Sequence, residues 1–264
     1  MAAPKDRQVS ARDHYEELYR TELGLEAEWL RYGACEKANS IELLLGRNGI
    51  RPRTILELGC GTGAVISECQ RRGLASEFTA IDCSYEAIKH LQSQSAGIQC
   101  MVADIADPAF KLDQTFDVVV LSHVLEHLKQ PLQVLRRIVN AVRFRHLIAE
   151  VPLENLLVLR LISAFRDRTR NPAGHVQFFT ETSFRNLVSA AALEPADTRR
   201  YVPTLSSAMV KLVCHKDNLS PLRAFIKWGT GLYMPRLLKP LWGRVYYAHY
   251  AVLCRPVTNH STSG

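Results

Sequence analysis

The sequence predicts an α/β protein with a doubly wound, mostly parallel sheet that carries helices on both faces. Three observations lead to this fold class: apolar runs alternate with helical stretches, two of the runs are continuously apolar, and a glycine-rich turn follows the first run. Alternation of strand and helix at this spacing is typical of parallel sheets. The continuous runs 118–121 and 147–149 fit central strands that are buried on both faces.

Helical periodicity marks the first fifty residues and ends near Gly46 and Gly49. Strands are then predicted at 54–58, 78–81, 98–102, 116–121 and 145–151, and helices near 64–72, 84–94, 131–142 and 180–192. Two more β-prone runs, 195–202 and 245–253, flank a segment that prolines break into short pieces. These patterns divide the chain into an N-terminal helical cap (1–50), a sheet core (51–203), a basic helical insert (204–243) and a final strand with its tail (244–264).

Composition excludes several classes of protein. Hydrophobic residues make up 47% of the 264 residues and charged residues 22%, which is typical of a globular protein and not of a disordered or collagen-like one. No apolar stretch approaches the roughly 18 residues of a membrane span, and the polar start lacks the apolar core of a secretory signal. The seven cysteines form no Cys-x-x-Cys pair, which favours reduced thiols in the cytoplasm and predicts neither a disulfide frame nor a metal site.

The glycine-rich turn lies in the segment ILELGCGTGA, residues 55–64. An apolar strand runs into Gly59, Gly61 and Gly63 and then into a helix. Glycines permit a tight turn and allow a ligand to approach the backbone closely. Because Gly59, Gly61 and Ala64 also spell the G-x-G-x-x-A pattern of dinucleotide dehydrogenases, the turn alone does not decide between ligands.

Three acids stand at the ends of successive strands and are expected at one edge of the sheet. Glu57 would repel a pyrophosphate but suits a cationic amino group. Asp82 is placed to accept from both hydroxyls of a ribose. Asp104 is placed to accept from an adenine amino group beside the apolar Ile105. Each acid alone is more often a cap or a surface residue, but three at one edge favour a nucleoside ligand with a positive charge.

With LELGCGTG, AIDCS, VADI and FDVVVLSHVLEHL in this order, the sequence resembles the class I S-adenosylmethionine-dependent methyltransferases, in their small-molecule (type 11/23-like) branch. The resemblance implies a Rossmann-like sheet of seven strands, the last antiparallel, with S-adenosylmethionine along its carboxyl edge and S-adenosylhomocysteine as product. The cofactor site that we expect comprises Tyr15, Lys37, Glu57, Gly59, Cys60, Gly61, Gly63, Asp82, Cys83, Asp104, Ile105 and Ser122. Among these, Cys60 and Cys83 need only be small, and Tyr15 and Lys37 are either closing residues or ordinary helix-surface residues.

Four residues are candidates for the acceptor side, where methyl transfer requires proximity and orientation, and a base only if the acceptor keeps its proton. His123 follows the fourth strand, and His127 lies one helical turn further on. Glu150 ends the fifth strand at the same edge, and His175 lies in a loop that resembles a substrate-side segment of this branch. A histidine near its ordinary pKa can assist a hydroxyl group, which favours O-methylation. The alternative is that His127 caps a helix and His175 ties down its loop.

Two other functions remain open at this stage: a nicotinamide-dependent oxidoreductase and a non-catalytic methyltransferase-like binding subunit. Glu57 and the HVLEHL segment count against the first, and the intact cofactor motifs count against the second. Neither Asn-Pro-Pro-Tyr, a motif of many N-methyltransferases, nor Pro-Cys, a motif of pyrimidine methyltransferases, follows the fourth strand. The sequence also lacks the interleaved aromatic and basic residues that are typical of proteins that bind single-stranded RNA. We therefore expect a small-molecule acceptor and no nucleic acid.

The net charge of +7 lies entirely in residues 204–256, which carry eight lysines and arginines against one acid. Aromatic and aliphatic residues are mixed with these charges. One interpretation is a solvated helical cap whose positive charge has no role in function. The other is a surface over the acceptor pocket that presents charge to an acidic or lipid-like acceptor and contacts the inner face of a membrane peripherally.

Overall fold

The computed structural model describes residues 11–157 and 174–257, which are built around one mixed sheet. Its strands are β1 (Thr54–Leu58), β2 (Glu77–Asp82), β3 (Ile98–Val102), β4 (Thr115–Ser122), β5 (Arg143–Leu153), β6 (Leu193–Tyr201) and β7 (Ala248–Pro256). These seven strands stand in the order β3-β2-β1-β4-β5-β7-β6. Strands β1 to β5 pair in parallel with their neighbours, whereas β7 runs antiparallel between β5 and β6. The predicted fold class, with an antiparallel last strand, is confirmed.

The described helices alternate with the strands as the sequence predicts. They are α1 (Ala11–Arg47), α2 (Ala64–Arg71), α3 (Tyr85–Gln94), α4 (Pro131–Ala141), α5 (Glu181–Ala190), α6 (Ser207–Lys216), α7 (Pro221–Trp228), α8 (Met234–Leu237) and α9 (Lys239–Val245). A short 3-10 turn occupies Leu125–His127. In α1, Glu22 has non-helical backbone angles (φ −127°, ψ 21°) and divides the helix at a kink.

Two apolar layers, one on each face of the sheet, explain the continuously apolar runs of the sequence. On one face, Leu56 and Val119 pack with the apolar sides of α4 and α5. On the other face, Ile55 and Val118 pack with α1, α2 and α3. Successive residues of a strand point to opposite faces, so a strand that is covered on both sides is apolar at every position.

The glycine-rich turn after β1 is fixed to the neighbouring strand. The backbone N–H groups of Gly59 and Cys60 donate to the carbonyl oxygen of Ile81, at 2.7 and 3.1 Å. Gly63 has φ 75° and stands directly before α2, where a Cβ atom would lie 2.3 Å from a methyl carbon of Leu91. A side chain at this position would therefore meet both backbone strain and a clash with α3.

Helices α6 to α9 connect β6 to β7, in the part of the sequence where the proline-broken segment lies. Strand β7 begins three residues later than the β-prone run predicts, because α9 extends to Val245 and has Pro240 in its first turn, where proline is compatible with a helix. Helix α6 packs against α1, and its last residue, Lys216, pairs with the buried Glu26. Within the described residues, none of the helices has both the length and the apolar character that crossing a membrane would require.

Candidate active site

A cavity of about 580 Å³ lies between the carboxyl edge of the sheet and α1. The turn after β1, the ends of β2 and β4, the segment after β3 and the end of α6 complete its wall. The sequence-predicted site residues that line it are Tyr15, Lys37, Glu57, Gly59, Cys60, Gly61, Asp82, Cys83, Asp104, Ile105, Ser122, His123, His127 and His175. Residues that are 160 positions apart in the sequence, such as Tyr15 and His175, thus face one space.

Glu57 is a buried acid at the first strand end, and its side chain is only 2% exposed. Its Oε2 accepts a hydrogen bond from the backbone N–H of Ile66, at 3.0 Å, in the first turn of α2. Burial raises the pKa of Glu57 to about 8, although the nearby Lys37 ammonium acts in the opposite direction. A cationic group that enters the cavity beside Glu57 would therefore stabilise its ionised form.

Asp82 ends β2 and holds two backbone donors. One carboxylate oxygen accepts from Gly61 at 2.7 Å and the other from Ser84 at 2.9 Å. Burial raises its pKa, while these two hydrogen bonds act to lower it. The carboxylate thus ties the glycine-rich turn to the start of α3 while Asp82 lies in the cavity wall.

Asp104 combines the two roles that the sequence left open for it. One of its oxygens accepts from the backbone N–H of Ala106 at 2.8 Å, which is the bond of a local turn. The side chain nevertheless lies in the cavity wall together with Ile105. The capping role is therefore present, and it does not remove the acid from the site.

The N-terminal half of α1 forms the opposite wall of the cavity. The Tyr15 hydroxyl lies 2.7 Å from Nδ1 of His127 and so joins α1 to the segment after β4. The Tyr19 hydroxyl lies close enough to Gly61 that a Cβ atom there would be 2.7 Å away. Tyr19 thus places α1 over the glycine-rich turn, and Tyr15 attaches α1 to the segment after β4.

His123 follows β4 in a strained backbone conformation. Its φ is 59°, in the left-handed region that non-glycine residues seldom adopt, and its N–H donates to the Glu150 carbonyl oxygen at 2.9 Å. Its Nδ1 lies 3.0 Å from Oε1 of Glu126, a close contact that is not aligned as a hydrogen bond. Its Nε2 lies 3.4 Å from Oε1 of Glu150 and 3.2 Å from Nδ1 of His249.

Glu126 is the most deeply buried acid of this region, with an exposure of 0%. Burial alone would raise its pKa, but the charges of His123, His127 and His175 lower it to about 2. Its backbone carbonyl accepts from the N–H groups of Val176 and Gln177, both at 2.9 Å. The same residue therefore carries negative charge into the site and attaches the segment that contains His175.

His127 and His175 pack edge to face, with ring centroids 4.9 Å apart, but their protonation differs. Burial lowers the pKa of His127 to about 4, in spite of the neighbouring Glu126. Burial also acts to lower the pKa of His175, but Glu154, whose Oε2 lies 2.6 Å from its Nδ1, gives a net rise above the ordinary value. At neutral pH, His127 is therefore neutral and His175 is the histidine that can exchange a proton.

The chain matches a known protein family over most of the sheet core. A family model described as a methyltransferase domain matches residues 28–197, which is more than half of the chain. The chain belongs to the class I S-adenosylmethionine-dependent methyltransferases. S-adenosylmethionine is accordingly the cofactor of this methyltransferase.

Individual relatives agree with this family. Ubiquinone biosynthesis O-methyltransferase of Xanthomonas campestris pv. campestris (strain B100) is 30% identical over 100 residues, which cover 36% of this chain and 41% of that protein. The protein of the same name from Aeromonas salmonicida (strain A449) is 31% identical over 99 residues, with the same coverage. This methyltransferase thus spans about two fifths of the length of these curated relatives.

A solved structure shares the fold over most of the chain. It is phosphoethanolamine N-methyltransferase 2 of Haemonchus contortus in complex with phosphomonomethylethanolamine and S-adenosylhomocysteine. The TM-score is 0.61 at 12% sequence identity, and the match covers 95% of this chain and 61% of that one. At this identity the likeness concerns the fold.

Two residues that the sequence places in the site do not line the cavity of this methyltransferase. Gly63 caps α2 with a left-handed backbone and leaves room for Leu91, so its requirement for glycine comes from backbone conformation and packing. Glu150 is 3% exposed and contacts His123 and His249 instead of the cavity. Both residues support the site from behind its wall.

Three residues that no sequence pattern indicates complete the histidine cluster around His123, His127 and His175. His249 lies at the start of β7, and its Nδ1 is 3.3 Å from Oε1 of Glu150. The Tyr201 hydroxyl donates to the same Glu150 oxygen at 2.8 Å, and the Tyr247 hydroxyl lies 3.1 Å from Nε2 of His249. His249 lies in β7 two residues after Tyr247, and no local sequence pattern shows that this part of the chain meets Glu150.

Proposed function

We propose that this methyltransferase transfers the methyl group of S-adenosylmethionine to a hydroxyl group of a small molecule. The observation that carries the proposal is the single cavity in which strand-end acids and a histidine cluster face each other. Glu57 would hold the amino group of the cofactor, Asp82 its ribose, and Asp104 with Ile105 its adenine. When bound, the cofactor supplies a methyl group that is already activated on a sulfonium.

Oxygen as the accepting atom is supported by two observations. The curated relatives carry the name ubiquinone biosynthesis O-methyltransferase. The cavity also contains a histidine that is paired with a carboxylate, His175 with Glu154. A carboxylate that binds Nδ1 of an imidazole leaves Nε2 to take the proton of an acceptor, which is the arrangement of a general base and its orienting acid.

The acceptor end of the cavity is proposed to lie next to a membrane-binding surface on α7 to α9. Leu222, Phe225 and Ile226 follow helical spacing on α7 and are exposed, Phe225 at 76%. Leu237 on α8 is exposed at 77%, and Leu241 on α9 is exposed as well. The exposed Arg223, Arg236 and Arg244 stand among these residues. Apolar and basic side chains on short helices are typical of segments that lie in the interface of an anionic membrane.

Titration calorimetry and a transfer assay test the proposed function. We expect S-adenosylmethionine and S-adenosylhomocysteine to bind, NAD and NADP not to bind, and labelled methyl groups to appear in small-molecule extracts that are incubated with the protein. Asp82→Ala should weaken cofactor binding by about 1.5–3 kcal/mol, because charge-assisted hydrogen bonds are lost. Asp113→Ala removes an exposed acid outside the cavity and serves as the matched control.

The outcomes separate the competing functions. Binding of NAD without binding of S-adenosylmethionine would identify an oxidoreductase and reject the proposal. Binding of S-adenosylmethionine with no transfer to any extract would identify a non-catalytic binding subunit. Incorporation of label into amines but not into hydroxyl compounds would support methyl transfer but reject oxygen as the accepting atom.

A further inference from the structure

Three ligand-type side chains meet behind the wall of the cavity, where adjacent strands converge. His123 follows β4, Glu150 lies near the end of β5, and His249 lies at the start of β7. Register brings them together, since Ser122 is opposite Glu150, and His249 is opposite Pro152. The atoms that face each other are Nε2 of His123, Oε1 of Glu150 and Nδ1 of His249, all within 4.8 Å of one another.

The distances between these three atoms are those of a metal-binding site. They are 3.2 Å between the two imidazole nitrogens and 3.4 and 3.3 Å from these nitrogens to the carboxylate oxygen. Tetrahedral zinc binds histidine and carboxylate ligands at about 2.0–2.1 Å, which places neighbouring ligand atoms about 3.3 Å apart. An ion close to the centre of this nearly equilateral triangle would therefore have ordinary bonds to all three.

Hydrogen bonding can satisfy only some of these contacts at one time. Nδ1 of His249 has three polar neighbours: Nε2 of His123, Oε1 of Glu150 and, at 2.9 Å, the Tyr201 hydroxyl. A ring nitrogen has either one hydrogen or one lone pair, directed in the plane of the ring, and so makes one strong hydrogen bond. A shared cation uses the lone pairs of both imidazoles and of the carboxylate at once.

The outer nitrogens of the two imidazoles also lie near groups of the kind that support metal ligands. Nδ1 of His123 lies 3.0 Å from a Glu126 oxygen, and Nε2 of His249 lies 3.1 Å from the Tyr247 hydroxyl. Metal-binding histidines almost always place their second nitrogen against a carboxylate, a carbonyl or a water, which fixes the tautomer and the ring. Glu126 and Glu150, both buried, also concentrate negative charge here that a divalent cation would balance.

We propose that His123, Glu150 and His249 bind a divalent transition-metal ion, with zinc as the expected ion. Two imidazoles and one carboxylate suit zinc and other first-row metals better than magnesium or calcium. Of the three ligands, only His123 lines the cavity, so the ion holds β4, β5 and β7 together behind the acceptor end. The site does not depend on the proposed function, and it leaves His175 as the base.

This proposal reverses the prediction of no metal site, which was based on the absence of cysteine pairs. A second group, Glu126, His127 and His175, also has ligand atoms within 4.8 Å. It fits an ion less well, because Nε2 of His127 is 4.0 Å from Glu126 and Nδ1 of His175 is occupied by Glu154. That group forms part of the acceptor end described above.

Metal analysis of protein without a polyhistidine tag tests the site. The full chain is incubated with Zn²⁺ or Co²⁺, and excess metal is removed by gel filtration. The bound metal is then quantified by inductively coupled plasma mass spectrometry. We expect a stoichiometric amount of bound metal, visible d–d absorption of the Co²⁺ form, and a melting temperature that falls when a chelator is added. His249→Gln should abolish all three signals, whereas His215→Gln, at an exposed histidine of α6, should leave them unchanged.

A second set of variants locates the ion. Glu126→Gln should weaken metal binding about 10- to 100-fold, as loss of an outer partner does, and His175→Gln should retain the metal. If His249→Gln fails to fold, X-ray absorption of the Co²⁺ wild type takes its place and should show two imidazole ligands. Wild-type protein with no metal above the buffer blank, metal that is lost in His175→Gln but kept in His249→Gln, or fewer than two imidazoles would each overturn the proposal.

Discussion

His175 and Glu154 illustrate how one neighbour sets the protonation of a single side chain. The histidine is buried, which by itself would lower its pKa, but the carboxylate at 2.6 Å reverses the direction of the shift. Three other histidines lie within the same region, and two of them, His127 and His249, have pKa values lowered to about 4 by burial. The close Glu154 carboxylate therefore distinguishes His175 from His127 and His249.

The pH–rate profile should reveal this pair. A base must be unprotonated, so turnover should fall as the pH drops through the raised pKa of His175. Glu154→Gln removes the negative charge, so we expect the acidic limb to move to lower pH and kcat to fall about 10- to 100-fold. His175→Gln should remove the acidic limb of the pH–rate profile altogether. An identical profile in wild type and Glu154→Gln would show that another group is the base.

Glu57 should make the stability of the ligand-free protein fall as the pH rises. Its pKa is about 8 in the folded state against an ordinary value of 4.5, so between these pH values the folded state keeps a proton that the unfolded chain loses. Stability decreases with pH wherever the folded state binds more protons. One pKa unit corresponds to about 1.4 kcal/mol, so the loss between pH 5 and 8 is on the order of 3 kcal/mol.

Glu57→Gln isolates this contribution, because glutamine does not titrate and still offers an oxygen to the Ile66 N–H. Urea unfolding of both proteins from pH 5 to 8 should show wild type losing stability relative to the variant. The control is Glu194→Gln, at an exposed acid, and its free energy of unfolding should change with pH as that of wild type does. A constant difference between wild type and Glu57→Gln would contradict the expectation.

At the scale of elements, the glycine-rich turn combines a ligand-facing part with a packing part. Gly59 and Gly61 line the cavity, whereas Gly63 allows α2 to begin against Leu91 of α3. The strained turn at His123 is a second such junction, since it directs one ring towards both the cavity and β5. Strand ends, not strand interiors, therefore carry the site.

Gly63→Ala should destabilise the protein through both strain and contact. The left-handed backbone costs a residue with a side chain about 1–2 kcal/mol, and the new Cβ would be 2.3 Å from Leu91, which adds about 1–3 kcal/mol of overpacking. Gly73 has a similar φ of 66° but nothing within 4 Å of its Cβ position, so Gly73→Ala should show the strain alone. Equal losses in urea unfolding would mean that Leu91 moves away freely.

At the scale of the whole molecule, the net charge is concentrated in one segment of the chain. Residues 204–256, which include α6 to α9 and β7, carry the net charge of +7, whereas the rest of the chain is neutral. Within this segment Lys227 is half-buried, and burial lowers its pKa. The exposed arginines of α7 to α9 are therefore the better probes of a surface interaction.

Co-sedimentation with liposomes should detect that interaction. Each Lys or Arg near an anionic membrane contributes about 1 kcal/mol, so Ala at Arg223, Arg236 and Arg244 together should lower partitioning to anionic liposomes about 100-fold. Neutral liposomes should retain little of either protein. The control replaces the exposed Arg31, Arg51 and Arg143 by Ala and should sediment as wild type does. Equal sedimentation of all three proteins would reject the membrane-binding surface.

The sequence by itself determined the order of strands and helices, the glycine-rich turn and the acids that follow β1, β2 and β3. These features are local: apolar periodicity marks each element, and parallel connections bring strand ends to one edge whatever the details of packing. That is why the sequence alone predicts that Glu57, Asp82 and Asp104 lie at one edge of the sheet, where they line one cavity.

Only the tertiary structure decided what surrounds His123 and His175. The partners Glu150 and His249 are 99 residues apart, and they meet because β7 inserts antiparallel between β5 and β6 in one particular register. A shift of that register by one residue would turn His249 to the other face of the sheet. No local pattern encodes this choice, since it results from the packing of two whole layers against the sheet.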